Sequence, residues 1–210
     1  MSHVILLGDS IFDNAAYVTA GAPDVVRQVR QRLPYGSEAT LAAIDGSRMR
    51  DVREQLRHLP ADATHLVVSA GGNDALHSSD FLTASARSNA EALLGLADIG
   101  DEFERGYLAM LAEVLTRGIP TAICTVYYPR FPEAVLQRTA VTALTVFNDC
   151  IVRAAFANGL PLLDLRLICT EEGDYANPIE PSVRGGEKIA RAIVEAVEYG
   201  FSGGRTEVFI

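Results

Sequence analysis

The stretch Val4-Ile5-Leu6-Leu7-Gly8-Asp9-Ser10 decides the fold. Four apolar residues without a polar alternation form too short a run for a helix. A run of that kind, ended abruptly by Gly-Asp-Ser, reads as a strand buried on both faces, the condition of a strand inside a parallel sheet. The same pattern recurs at Ala39–Ile44, His65–Ala70, Thr121–Val126 and Leu160–Leu165. Between these runs apolar residues fall at helical spacing. Residues 24–33 repeat them at 25, 26, 29 and 33, and residues 49–59 at 49, 52, 56 and 59. Residues 101–117 carry a stripe of Phe103, Tyr107, Leu111, Val114 and Leu115 that Gly118 and Pro120 stop. Residues 132–158 form a long helical stretch closed by Gly159, and residues 185–199 a last one.

Strands alternating with helices predict a three-layer α/β/α sandwich, flavodoxin-like, with about five parallel strands. A chain of 210 residues suits one domain over residues 1–200, followed by a tail at 201–210 in which Ser202-Gly203-Gly204 reads as a flexible hinge. The apolar end of that tail is expected to dock on a neighbouring surface, with pairing to a partner chain, and so a homo-oligomer, left open.

Composition removes several function classes. Eighteen Lys and Arg against 27 Asp and Glu leave a net charge of −9, which disfavours a nucleic-acid partner or an anionic membrane surface. Cys124, Cys150 and Cys169 are odd in number and have no Cys-x-x-Cys spacing, so neither a disulfide framework nor a cysteine zinc site is expected. No basic segment precedes the first apolar run, and no run reaches the ~18 apolar residues of a membrane span. Those features predict a cytoplasmic protein without membrane insertion. The phosphate-binding signatures G-x-x-x-x-G-K-[ST] and G-x-G-x-x-G are absent, as are H-E-x-x-H and the G-x-S-x-G elbow. No loop has calcium-ligand spacing, so neither a metal nor another cofactor is expected.

Polar clusters stand where the strands end: Gly8-Asp9-Ser10, Asp45-Gly46-Ser47, Gly71-Gly72-Asn73-Asp74 and Asn177-Pro178-Ile179-Glu180-Pro181-Ser182. Each alone reads as a cap or turn. Together they fall at one edge of a parallel sheet, where distant loops converge on a single site.

In order and spacing these clusters resemble the SGNH (GDSL) hydrolases. Gly8-Asp9-Ser10 and Gly71-Gly72-Asn73-Asp74 match the family's first and third blocks, and Gly46 the glycine of its second. The resemblance implies an ester hydrolase with Ser10 as nucleophile and a small-molecule ester as substrate. The N–H groups of Ser10 and Gly46 and the Asn73 amide would then hold the oxyanion. In the last block the family has Asp-x-x-His, whereas this chain has Asn177-x-x-Glu180. None of its four histidines, His3, His58, His65 and His77, lies in that loop. Two readings follow. In one, Glu180 is the base and Asn177 donates a hydrogen bond that orients it. In the other, the base is lost and the fold binds a ligand or turns over slowly. Asp9, Phe12, Asp74 and Tyr127 are expected to contact the substrate, with Ile11 beside Phe12 in the same wall.

Overall fold

A computed structural model describes residues 1–199, 201 and 205–210 of the chain. Its strands are β1 (His3–Gly8), β2 (Glu38–Leu41), β3 (His65–Ser69), β4 (Thr121–Cys124), β5 (Leu162–Leu163) and β8 (Val208–Phe209). They form one sheet in the order β2-β1-β3-β4-β5-β8, with every pair parallel. The first five follow the flavodoxin-like order, which reverses direction at β1. The sheet is therefore the expected one with a sixth strand added. Val208 and Phe209 of the tail extend the edge beside Leu162 and Leu163. The expected hinge, Ser202-Gly203-Gly204, lies outside the described residues.

The strands read as unbroken apolar runs because both of their faces are covered. Val4, Leu6, Val67 and Leu163 face one cluster with helices α1 (Val25–Arg32), α6 (Leu165–Ile168) and α7 (Val183–Tyr199). Ile5, Leu7, Leu66, Val68 and Ile123 face the other, with α2 (Val52–Gln55), α4 (Asn89–Leu115) and α5 (Ala134–Asn158). The alternation of strand side chains thus assigns neighbouring residues to opposite cores. All three cysteines are buried and free.

The helices differ from the expected ones in two places. Helix α4 begins at Asn89, not near Asp101. The Ser88 hydroxyl accepts from Glu91 N and caps it. Its first turns carry exposed Leu93 and Leu94, so the buried stripe appears only further along. A short helix α3 (Gly72–His77) follows β3 directly. By length and composition α5 is apolar and long enough to cross a bilayer, although half of its most apolar stretch is buried inside the protein. Ala143, Leu144, Phe147 and Ile151 are among its buried residues.

The edge that carries the site is fixed by Gly8. Its φ of +126° is a conformation that side chains rarely adopt, and a Cβ there would lie 1.7 Å from the Ser69 carbonyl oxygen. The chain leaving β1 can therefore cross close over the end of β3 only at a glycine. Gly8→Ala is expected to destabilise the protein by at least ~3 kcal/mol, from strain plus the clash with backbone. Urea unfolding at neutral pH measures this, and an unchanged midpoint would contradict it.

Candidate active site

The turn after β1 is organised around Asp9. Its carbonyl accepts from Phe12 N and Asp13 N, both at 3.1 Å, and its carboxyl Oδ1 accepts from Ile11 N at 3.2 Å. Three successive N–H groups are used in this way, and that of Ser10 donates to no acceptor among the described residues. The Ser10 hydroxyl donates to Glu180 Oε1 at 3.0 Å, across 170 positions of sequence. The second carboxyl oxygen of Glu180 is buried and has no hydrogen-bond partner.

Two tethers bring Glu180 there. Glu180 lies in the hairpin of β6 (Tyr175–Asn177) and β7 (Glu180–Pro181). Asn14, fully buried, accepts from Val25 N and donates to the Pro181 carbonyl at 3.2 Å. Tyr127 donates its hydroxyl to the Ile179 carbonyl at 2.6 Å. The residues flanking Glu180 are thus fastened to the ends of β1 and β4.

Buried Gln55 ties the second and third loops to the first. Its side chain accepts from Gly8 N at 2.8 Å and donates to Gly8 O at 2.8 Å and to Ser47 Oγ at 3.3 Å. The Ser47 carbonyl in turn accepts from the Asn73 amide at 2.9 Å. One amide hydrogen of Asn73 is so committed, which fixes the side chain and leaves the other available. Asp9, Ser10, Ile11, Asn73, Tyr127 and Glu180 line one cavity of about 360 Å³. Apolar side chains from α4, α5 and the turn at Ser79–Thr83 supply about half of the remainder. A mostly apolar hollow with a few convergent polar groups is the usual form of a small-molecule site.

A model of the GDSL-like lipase/acylhydrolase family matches residues 6–187. The chain belongs to that family. Solved structures share the fold at low identity. A lipase, Lip_vut3, from a goat rumen metagenome superposes with a TM-score of 0.72 at 17% identity, covering 93% of this chain and 97% of that one. A lipase/acylhydrolase from Enterococcus faecalis gives 0.67 at 18%, covering 94% and 96%. Phospholipase A1 from Streptomyces albidoflavus NA297 gives 0.60 at 16%, covering 93% and 98%. No curated protein matches the chain in sequence.

Against this GDSL-like frame, several residues stand elsewhere than expected. Phe12 is wholly buried in the core beside α1 and α7 and does not line the cavity, whereas its neighbour Ile11 does. Asp74 also lies outside the lining. It accepts from Arg48 Nε at 3.0 Å and Met49 N at 2.9 Å, and so fastens the second loop. Asn177 is exposed, and its side-chain oxygen accepts from Ile179 N at 2.9 Å, shaping the loop without bonding Glu180. Gly46 sits at the exposed tip of its turn with φ +77°, outside the cavity lining. None of the four histidines lines the cavity. Among the described residues no three His, Cys, Asp or Glu side chains group as metal ligands.

Gln55, Asn14 and Arg48 tether the loops without any signal of that role in the sequence, and they are joined by Ser47 of the second polar cluster and by Tyr127. Gln55 stands three positions after buried Val52, and its own burial is matched by the Gly8 peptide groups that it bonds.

Burial dominates the electrostatics. Loss of water raises Asp9 to about 7, and the charges of Glu180 and Asp74 add to the rise while the Ile11 N–H opposes it. Burial likewise raises Glu180 to about 7, partly offset by the Ser10 hydroxyl, with the nearby Asp45 charge adding to it. Because Asp9 in the folded protein holds its proton above its ordinary 3.8, the native state binds extra protons between about pH 4 and 7. Stability therefore falls as pH rises through that window and stays reduced above it. Asp9→Asn keeps an acceptor for Ile11 N and removes the ionisation. Calorimetric melting is expected to show Tm raised by at least ~4 °C at pH 8 and by much less at pH 5. Equal shifts at the two pH values would contradict the assignment.

Proposed function

We propose that the protein is a serine ester hydrolase in which Glu180 takes the part of the missing histidine. The observation that carries this reading is the 3.0 Å hydrogen bond from Ser10 Oγ to Glu180 Oε1, made within a largely apolar cavity. A carboxylate at its ordinary pKa is a feeble base for a serine hydroxyl. Burial without a partner for Oε2 lifts Glu180 to about 7, near working pH, where a general base is most effective.

The chemistry balances on these groups. Ser10 Oγ forms a bond to the ester carbonyl carbon as its proton passes to Glu180 Oε1. The carbonyl oxygen becomes an anion that meets the Ser10 N–H and the free hydrogen of the Asn73 amide. Both donors are fixed beforehand, which is what makes them worth more to the anion than to the carbonyl. The tetrahedral species collapses, the ester C–O bond breaks, and the leaving alcohol takes the proton from Glu180. Water then attacks the acyl-serine with Glu180 again as base, releasing the acid and restoring Ser10.

The rival reading, a ligand-binding protein without turnover, draws support from the lack of any hydrogen bond orienting Glu180 Oε2. Hydrolysis of short p-nitrophenyl esters and labelling by a fluorophosphonate separate the two. Turnover with a mass increase on Ser10 supports the hydrolase, and neither across pH 6–9 supports the rival.

Glu180→Gln is expected to lower kcat by ~10²–10⁴-fold, the usual worth of a general base. Asn73→Ala is expected to lower it by ~10²–10³-fold, the worth of one oxyanion donor. The base must be ionised, so kcat/KM should rise with pH through a midpoint near 7 and level above it. Full activity in Glu180→Gln, with none in Ser10→Ala, would show that Glu180 is not the base.

A further inference from the structure

A second hollow of about 510 Å³ lies against the first. Phe81, Leu82, Leu96 and Ala143 line both, so these four side chains are the wall between them. Leu96 and Ala143 belong to α4 and α5, long helices whose backbones are bonded throughout. Phe81 and Leu82 belong to the turn at Ser79–Thr83, which has no fully buried residue. Local bonds hold this turn: Phe81 N to Ser78 O and Ala84 N to Phe81 O, both 3.2 Å, and Thr83 Oγ1 to Asp80 O at 3.1 Å. The weakly anchored half of the wall is therefore this pair. The Phe81 ring also depends on Gly95 of α4, where a Cβ would lie 2.7 Å from Phe81 Cε2. Absence of that carbon lets the ring lie against the helix backbone.

We propose that Phe81 and Leu82 form a partition that sets the length of acyl chain the Ser10 cavity accepts. This inference rests on the reading of Ser10 as the residue that takes up an acyl group. Volume gives the scale. At roughly 30 Å³ for a water-sized group, 360 Å³ holds about a dozen such groups. With part of that space given to the carbonyl and the alcohol, acyl chains of about eight carbons fill the cavity. Each methylene buried up to that point is worth about fourfold in kcat/KM, and a methylene beyond it meets Phe81 and is turned out toward solvent while the ring is seated. With the ring gone, the chain runs on into the second hollow between Leu82 and α5.

The test is a series of p-nitrophenyl esters, from acetate to hexadecanoate, hydrolysed by the full chain. The wild type is expected to improve up to about the octanoate and then decline. Phe81→Ala is expected to raise the ratio of dodecanoate to butyrate kcat/KM by at least about tenfold. Phe81→Leu, a milder change should the alanine variant not fold, is expected to shift the same ratio in the same direction by less. Phe81→Trp is expected to lower it. An unchanged ratio in folded Phe81→Ala and Phe81→Leu overturns the partition. If the wild type hydrolyses no ester, the acyl-transfer reading fails on its own. The partition is then read by calorimetric binding of dodecanamide and butanamide. Tightening by Phe81→Ala of the long amide alone supports it, and equal or no tightening overturns it.

Discussion

Taking a carboxyl group out of water beside a hydroxyl is costly, and the site of this protein is built around that cost. Glu180 is buried, has one hydrogen bond, from Ser10, and keeps Oε2 without a partner. An isolated buried carboxylate meets the penalty by holding its proton to higher pH. The same shift that weakens the folded state at alkaline pH makes Glu180 a better proton acceptor. Asp9, the residue before Ser10, is a second buried acid, held by the Ile11 N–H, and its charge and that of Glu180 resist each other. Two buried acids next to one serine form a set in which stability and chemistry titrate in the same range.

Such a site has to be held by the scaffold, because the carboxylates themselves contribute little to holding it. The reversal of strand order at β1 brings the loops after β1, β2 and β3 to one edge. Gln55 then fastens the first two through both peptide groups of Gly8 and the Ser47 hydroxyl, and Asn73 joins the third through the Ser47 carbonyl. Asn14 and Tyr127 bind the backbone on either side of Glu180. Each of these contacts is a neutral side-chain bond with a peptide group or hydroxyl. Most of the geometry is left to amides and phenols, with the Arg48–Asp74 ion pair on the second loop as a charged addition.

Much of this was legible from the residues. Strands covered on both faces leave uninterrupted apolar runs, so β1, β3 and β4 stand out, and the polar residues that end them mark the sheet edge. The resemblance of the first and third clusters to one family, with the altered last cluster, pointed to Ser10, Asn73 and Glu180, and these three line one cavity while Gly46 of the second cluster does not. Other features leave weaker traces. A two-residue strand such as Val208–Phe209 has no period to read. The first turns of α4 carry exposed leucines that break the expected stripe, although Ser88 followed by Glu91 is a capping signal. Phe12, adjacent to the site in sequence, is wholly buried in the core cluster beside α1 and α7, and Ile11 packs against that cluster while also lining the cavity. Asn177 was assigned an orienting bond by its place in the motif, but the hairpin turns its side chain back on its own loop.

The central claim is that Glu180 is a buried acid electrically coupled to the Ser10 hydroxyl. It is tested most directly by following the carboxyl carbon of isotopically labelled Glu180 by NMR as pH is varied. The account predicts a midpoint near 7 that moves upward in Ser10→Ala, because the lost hydroxyl no longer favours the anion. A midpoint near the ordinary 4.5, indifferent to the loss of Ser10, would contradict it.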